Sequence, residues 1–268
     1  MEQQGRSLIL EGTDVAAVAL RQYKCNVYCQ VLNQRGEGVI RECVHSDGIW
    51  ATANSPTFRA KIHSPLAAVS FDEGREVRVF CVSDDNYLQE WCHSAEPDSD
   101  YIQEYSLMSD FTWAKNVVLP GAIRGASLAA VCWKSPNLHL RVYYQAPDMT
   151  IREHCWDDHW YAGGFRTPEM LRNPSLAAVA WYYAGAQLRV YCQEPSRRIA
   201  AYKFSEATAT WTPDGTVVDN SQRESKFSVV EWNIGDSVRF YYQADDNTIK
   251  EQCQDGGRAW FPGVFVAS

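Results

Sequence analysis

The stretch S-L-A-A-V-C-W at Ser127–Trp133 is followed by three further short segments. They are L-R-V-Y-Y-Q at Leu140–Gln145, T-I-R-E-H-C-W at Thr150–Trp156 and H-W-Y-A-G-G-F at His159–Phe165. β-branched and aromatic residues dominate all four, and turn residues such as Pro147-Asp148 separate them. The stretch therefore predicts four β-strands joined by tight turns.

The same four-part pattern occurs five times along the chain. The valine that ends each A-A-V-like core recurs at intervals of 51, 62, 48 and 51 residues, at Val18, Val69, Val131, Val179 and Val230. Four strands in a unit of this size are typical of a propeller blade. We therefore predict an all-β fold, a five-bladed β-propeller of four-stranded blades. It forms a single domain over residues 1–268, with units at about 14–60, 65–118, 127–171, 175–221 and 227–268.

The ends of the chain and one long interval carry further predictions. We expect ring closure by the N-terminal strand, Ser7–Gly12, which would pair with the last blade beside Gly263–Val266 and so hide exposed strand edges. The interval of 62 residues contains a polar insertion, roughly 93–110, which predicts a loop or an extra hairpin.

Charge and composition exclude several classes of function. A net charge of −8 and a pI near 5.3 argue against nucleic acid as the main partner, because phosphate binding requires a basic surface. The apolar runs have the length of strands, so no membrane span is expected, and Met1–Ser7 leads into no signal-peptide core. We therefore expect a cytoplasmic protein. Ten Trp, 14 Tyr and 10 Phe suggest carbohydrate contacts, stacked sheets, or both.

Cysteines and other reactive groups give no metal or cofactor site. Six of the nine cysteines occupy two recurring repeat positions, which favours buried thiols in a reducing compartment over a disulfide framework. The run His154–His159 contains potential metal ligands, but His154 and Cys155 point to opposite faces of a strand and Asp157-Asp158 is predicted to be a turn. Nucleotide-binding glycine loops and the G-x-S-x-G motif are absent from the sequence.

An Arg on the second strand and a Glu on the third recur twelve residues apart in three units. A guanidinium beside a carboxylate offers a fork of donors and an acceptor, which suits neighbouring sugar hydroxyls. A plain ion pair between blades is the alternative interpretation. The three pairs are Arg78 with Glu90, Arg141 with Glu153, and Arg239 with Glu251.

The phrases L-R-V-Y-Y-Q-x-P-D-x-T-I-R-E and S-L-A-A-V-x-W resemble the fungal fucose-specific lectin family over nearly the whole chain. The resemblance implies fucose bound between adjacent blades by an Arg, a Glu and aromatic residues, which marks the three pairs above. It also nominates aromatic partners on the closing segments, Trp113, Trp160 and Trp260. Typical members have six blades, whereas this sequence supports five. Asn26 replaces the Arg of the first unit, where Glu42 follows four residues later than the spacing requires, and Ala201 replaces the Glu of the fourth.

Two functions from different classes follow from this resemblance, with an inert interaction module as a third. The favoured hypothesis is a cofactor-independent pericyclase, because proteins resembling the family catalyse an intermolecular hetero-Diels–Alder addition in fungal secondary metabolism. A tropolone quinone methide adds there to a humulene-type sesquiterpene in a water-poor pocket. The alternative is a fucose-specific lectin with up to three inter-blade sugar sites.

The residues and partners of these functions differ. The pericyclase would bind small apolar substrates, and its candidate hydrogen-bond donors or pocket residues are Arg189, Tyr183, His139 and Trp181. The lectin would bind fucosylated glycans, and a homodimer is a candidate assembly for either. An aromatic series on the inner strands is interpreted as core packing or as a pocket wall; it comprises Phe71, Trp133, Trp181 and Trp232.

Overall fold

The computed structural model describes residues 9–20, 24–46, 48–52, 58–94, 114–123, 125, 127–232 and 235–267. The chain divides into two compact units, Met1–Gly125 and Ala126–Ser268. Among the described residues, regular structure consists of β-strands and one short 3-10 turn, Asp72–Gly74, which confirms the all-β prediction. As far as the chain is described, neither unit contains a helix with the length and apolar character that a membrane span requires.

Unit 1 contains two antiparallel sheets, the first and second blades. The first blade consists of β1 (Val15–Ala19), β2 (Cys25–Leu32), β3 (Gly38–Ser46), β4 (Ile49–Thr52) and β5 (Phe58–Arg59), and its outer strand is in two pieces because β4 and β5 both pair with β3. The second blade consists of β6 (Ala67–Phe71), β7 (Glu76–Val82), β8 (Tyr87–Ser94) and β9 (Ala114–Gly121). Most of the predicted insertion and Trp113 lie outside the described residues.

Unit 2 contains three antiparallel sheets of four strands each. The third blade consists of β10 (Leu128–Lys134), β11 (Leu138–Gln145), β12 (Ile151–Trp156) and β13 (Trp160–Arg166). The fourth consists of β14 (Leu176–Tyr182), β15 (Ala186–Gln193), β16 (Ile199–Ser205) and β17 (Thr210–Val218). The fifth consists of β18 (Phe227–Trp232), β19 (Ser237–Gln243), β20 (Ile249–Asp255) and β21 (Phe261–Ala267). The prediction of five blades with strands in chain order is confirmed.

Consecutive blades of each unit pack through apolar faces. The inner strand β1 lies against β6 in unit 1, and β14 lies against both β10 and β18 in unit 2. Alternation along the strands places small and β-branched residues at these contacts, such as Val131 and Ala178 between the third and fourth blades. Apolar contacts therefore join consecutive blades of each unit.

The N-terminal stretch pairs differently from the prediction. Ile9 forms an isolated antiparallel bridge with Val31, and the Leu10 N–H donates to the Gln30 carbonyl at 2.9 Å. The described part of this stretch therefore extends the first blade, because β2 is longer than the inner strand β1 and leaves backbone groups to satisfy. Ser7 and Leu8 lie outside the described residues.

All nine cysteines are free thiols, and those at the recurring position on the second strand are buried. Burial raises the pKa of Cys81 and of Cys192 to about 12. Both side chains lie among the apolar residues of their blades. These thiols therefore behave as small apolar core groups.

We expect Cys81 and Cys192 to resist alkylation in the native protein. A thiol with a pKa near 12 stays protonated at pH 8.5, and only the thiolate reacts rapidly with iodoacetamide. Mass spectrometry after native labelling checks this, with a guanidinium-unfolded sample as the control in which all nine cysteines react. Rapid native modification of either residue would contradict the buried placement.

Candidate functional site

The Arg and Glu of each predicted pair are diagonal neighbours on adjacent strands. In the third blade Arg141 of β11 faces Cys155, and Glu153 of β12 faces Tyr143. Diagonal residues of an antiparallel pair share one face and lie within reach of long side chains. The second and fifth blades have the same register, in which Arg78 faces Cys92, Glu90 faces Phe80, Arg239 faces Cys253 and Glu251 faces Tyr241.

Tight turns maintain this register between the second and third strands. Asp148 accepts hydrogen bonds from both the backbone N–H and the hydroxyl of Thr150, and Asp246 does the same for Thr248. The turn residue Met149 adopts a positive φ of 67° to close the third-blade hairpin. The constant twelve-residue spacing of Arg and Glu follows from hairpins of one length.

The three pairs have similar geometry. The distance from Arg Nε to Glu Oε1 is 3.5 Å for Arg78 and Glu90, and 3.9 Å for the other two pairs. The carboxylates are the more buried partners: the Glu153 side chain is 4% exposed and that of Arg141 is 11% exposed. Each pair therefore combines close opposite charges with a gap wider than a direct hydrogen bond.

Other groups of the same blade hold the glutamates in place. The Tyr143 hydroxyl donates to Glu153 Oε1 at 3.0 Å, and the Phe165 N–H donates to Oε2 at 3.3 Å. Tyr241 and Phe265 donate to Glu251 in the same way. In the second blade the Asn116 amide donates to Glu90 Oε2 at 2.6 Å.

Glycines on the outer strand make room for two of these carboxylates. A Cβ at position 163 would lie 2.2 Å from Glu153 Oε2, and one at position 263 would lie 2.0 Å from Glu251 Oε2. Both distances are far below van der Waals contact. Gly163 and Gly263 therefore allow the carboxylate to lie directly against the outer-strand backbone.

A second acid holds the outer end of the guanidinium in the third and fifth blades. Arg141 Nη1 and Nη2 donate to the two oxygens of Asp157 at 2.9 and 3.0 Å, and Arg239 donates to Asp255 at 2.7 and 3.3 Å. The opposite edge, formed by Nε and the second Nη2 hydrogen, has no hydrogen-bond acceptor among the described residues. This free edge points a pair of parallel donors toward the side of the glutamate.

The aromatic series of the inner strands lies beneath these arginines. Guanidinium carbon to ring centroid distances are 5.1 Å for Phe71, 4.8 Å for Trp133, 5.4 Å for Trp181 and 5.0 Å for Trp232. Each ring lies within cation–π range and so supports the position of its cation, in addition to the core packing expected from sequence. In the first blade Leu20 replaces the ring and Asn26 replaces the cation.

Asp157 is the centre of a hydrogen-bond cluster that sequence patterns did not indicate. It accepts from the Tyr161 hydroxyl and contacts His139 Nδ1, besides pairing with Arg141. His139 in turn stacks on Trp133, with ring centroids 5.0 Å apart. Burial disfavours the charged carboxylate, but hydrogen bonds from these partners outweigh burial, so the pKa of Asp157 lies below its usual value.

In unit 2, tryptophans at or just before the outer strands contact tyrosines of the preceding blade. Trp211 lies edge-on to Tyr143 of the neighbouring blade at 6.0 Å, and Trp260 lies edge-on to Tyr191 at 6.2 Å. We call the group formed by Arg141, Glu153, Tyr143 and Trp211 the third slot. Trp160 stacks on His154 within its own blade.

Trp211 was missed in the sequence, although its repeat position is that of Trp160 and Trp260. It follows the last turn of its blade and pairs with Phe204 across β16 and β17, as Trp160 pairs with Trp156. That shared register was the available signal. Trp113 lies outside the described residues.

The structure brings two of the four candidate pericyclase residues together, Arg189 and Trp181. Trp181 lies beneath Arg189 in the fourth blade, and Tyr183 is 66% exposed on the turn after β14. His139 belongs to the Asp157 cluster of the third blade. Among the described residues, no group of three or more His, Cys, Asp and Glu side chains is arranged to bind a metal ion.

The first and fourth blades depart from the pattern as the sequence indicated. Asn26 donates to Glu42 at 2.6 Å, and Glu42 faces Tyr28 in the same register as the other glutamates. The four extra residues before Glu42 are therefore accommodated by a longer hairpin turn. In the fourth blade Ala201 faces Tyr191, and Arg189 forms an ion pair with Asp214.

Comparison with known proteins identifies one family. The model of the fungal fucose-specific lectin family matches residues 9–268. A fucose-specific lectin of Aleuria aurantia is 31% identical over 195 residues, 56% of this chain and 60% of the relative. One of Aspergillus oryzae is 27% identical over 97% of this chain and 81% of the relative. The chain thus spans less than two thirds of the Aleuria relative in that match.

Solved structures agree with this family match. The lectin SapL1 in complex with α-methyl fucoside superposes with a TM-score of 0.79 at 26% identity, over 97% of this chain and 82% of that structure. A six-bladed β-propeller lectin of Aleuria aurantia superposes with a TM-score of 0.51 at 22% identity, over 97% of both chains. These similarities confirm the β-propeller class.

Proposed function

Since the chain belongs to the fungal fucose-specific lectin family, we propose that it is a carbohydrate-binding protein that recognises fucose on glycans. The observation that carries the proposal is the free donor edge beside a buried glutamate, repeated in register. Arg141 with Glu153 and Arg239 with Glu251 have this geometry, and Arg78 with Glu90 has the same register.

The third slot has the groups that a monosaccharide requires. The Nε and Nη2 edge of Arg141 supplies two donors, and Glu153 supplies acceptor capacity on the same face. Two vicinal hydroxyls can accept from the first and donate to the second. The indole of Trp211 adds an apolar surface for the C–H face of a sugar ring.

A purely structural ion pair fits this geometry less well. The clamping carboxylate Asp157 lies at direct hydrogen-bond distance from Arg141, whereas Glu153 is 3.9 Å from Nε and is held by Tyr143 and Phe165 instead. Arg141 is thus anchored independently of Glu153. Such a preorganised gap favours a ligand between the two groups.

Repetition of the site favours multivalent binding. Three pairs on one chain can bind several fucose residues of a branched glycan or a cell surface, which raises avidity without new contacts. Fucosylated glycans are therefore the proposed partners. The cycloaddition hypothesis stays a prediction based on resemblance. Of its candidate residues, Arg189 is ion-paired and Tyr183 lies on an exposed turn.

We expect calorimetric titration with methyl α-L-fucoside to give saturable binding with up to three sites per chain. The variant Glu153→Gln keeps the side-chain shape but removes the charged acceptor, so it should lose one site or weaken it at least tenfold. Methyl α-D-mannoside is the control sugar. The proposal would be overturned by the absence of heat at millimolar fucoside, or by equal binding of both sugars.

A further inference from the structure

The fourth blade differs from the third and fifth at two positions on its adjacent third and fourth strands. Ala201 occupies the register position of Glu153 and Glu251. On the fourth strand, Asp214 occupies the register position that Gly163 occupies in the third blade. Asp214 comes directly after Pro213, which pairs with Tyr202. Gly163 likewise comes directly after Ala162, which pairs with His154. This blade therefore has an acid on its fourth strand, whereas the third and fifth blades have it on the third strand.

The relocated acid covers the edge of the guanidinium that is free elsewhere. Asp214 Oδ2 lies 3.1 Å from Arg189 Nε, compared with 3.9 Å between Glu153 and Arg141 Nε. Lys203 Nζ is 2.9 Å from the other oxygen of Asp214. Two cations thus hold the carboxylate on the position that a sugar hydroxyl would take.

The neighbouring blade completes the enclosure of this space, which we call the fourth slot. Arg189 Nη1 donates to Gln254 Oε1 of the fifth blade at 2.7 Å. Gly235 lies so close over the Trp181 indole that a Cβ there would be 2.2 Å from the ring. The side chains of Arg189 and Asp214 are both only 12% exposed.

We infer that Asp214 closes the fourth slot to sugar and converts Arg189 into a clamp between the fourth and fifth blades. The sugar-binding part of this inference rests on the proposed function. Among the described residues, the same arginine position thus serves two purposes. In the third slot its Nε edge faces the proposed ligand position, whereas in the fourth slot Nε is ion-paired with Asp214 at 3.1 Å and Nη1 donates a hydrogen bond to Gln254.

The double variant Ala201→Glu with Asp214→Gly tests the closure directly. It restores the acid on the third strand and the glycine on the fourth, as in the third blade. Titration with methyl α-L-fucoside should then give one more site per chain than the wild type. Each single variant is the matched control and should give no additional site, because each restores only half of the arrangement.

Arg189→Ala provides the second measurement. We expect the fucoside stoichiometry of the wild type to be unchanged and the melting temperature to fall by about 3–6 °C, because a bond between blades is lost. Loss of one fucoside site in this variant would overturn the inference. So would a folded double variant, verified by circular dichroism, that gains no site.

These outcomes are separable from failure of the proposed function. If the wild type binds no fucoside, lectin activity is refuted, and the clamp between the blades is tested by a double-mutant cycle of Arg189→Ala and Gln254→Ala. Non-additive shifts in melting temperature would support the clamp. Additive shifts would refute it.

Discussion

Replacing Arg141 with alanine is expected to abolish fucoside binding in the third slot and to lower the free energy of unfolding by about 2–4 kcal/mol at pH 7. The side chain supplies the donor edge of the slot and pairs with Asp157. It is also the cation nearest to Glu153, which is 4% exposed. Removing it leaves two acids without their counter-charge, which is more costly than losing an exposed ion pair.

The loss of stability should depend on pH. Burial opposes ionisation of Asp157, and the hydrogen bonds from Arg141, Tyr161 and His139 outweigh burial, so its pKa in the folded protein lies below the unfolded value. A lowered carboxyl pKa contributes stability above the unfolded pKa, near 4, which is lost as the pH falls through the folded pKa. The difference between wild type and variant should therefore be full at pH 6–7 and narrow below about pH 4.

Denaturant titrations at several pH values, together with calorimetric binding, measure both effects. Arg172→Ala is the control, because Arg172 is an exposed arginine of the same unit. Arg141→Lys keeps a positive charge but removes the planar fork, so it should recover part of the stability without recovering binding. If Arg141→Ala lowers stability by less than about 0.5 kcal/mol, the buried charge cluster is of little energetic importance.

A single methyl group on the outer strand is expected to weaken fucoside binding and to lower stability. Gly163→Ala places a Cβ 2.2 Å from Glu153 Oε2 and 2.6 Å from Cys155 Sγ, so the glutamate must move away from the Phe165 N–H. We expect fucoside affinity of the third slot to fall at least tenfold. Overpacking should cost about 1–3 kcal/mol of stability.

The adjacent residue provides the matched control. A Cβ at Gly164 would meet Trp211 Cδ1 at 4.0 Å, which is ordinary contact. Gly164→Ala should therefore keep both binding and stability, with a change within about 0.5 kcal/mol. Equal effects of the two variants on binding and stability would contradict this prediction. They would show that the response of the outer strand to an added side chain does not depend on the carboxylate.

The periodicity of the sequence was sufficient to predict the blades and the constant spacing of Arg and Glu. Strand-forming segments between turn residues, repeated at nearly constant intervals, permit one arrangement of four-stranded sheets. Hairpins of one length then fix the register, so Arg141 and Glu153 had to be diagonal neighbours. The departures at Asn26 and Ala201 were visible for the same reason, since each interrupts a repeated pattern.

The sequence alone determined the strands, their order, their register and the five equivalent positions, because these depend on local alternation and turn length. What each position does depends on contacts that form when the strands and blades pack. The pattern predicts a turn at Asp157 and gives Trp211 no special role, yet Asp157 anchors Arg141 and Trp211 contacts Tyr143 of the third slot. Asp214 forms the ion pair with Arg189 in the blade where Ala201 replaces the glutamate. Such contacts join side chains from different strands and blades, and their distances are set by packing rather than by spacing along the chain.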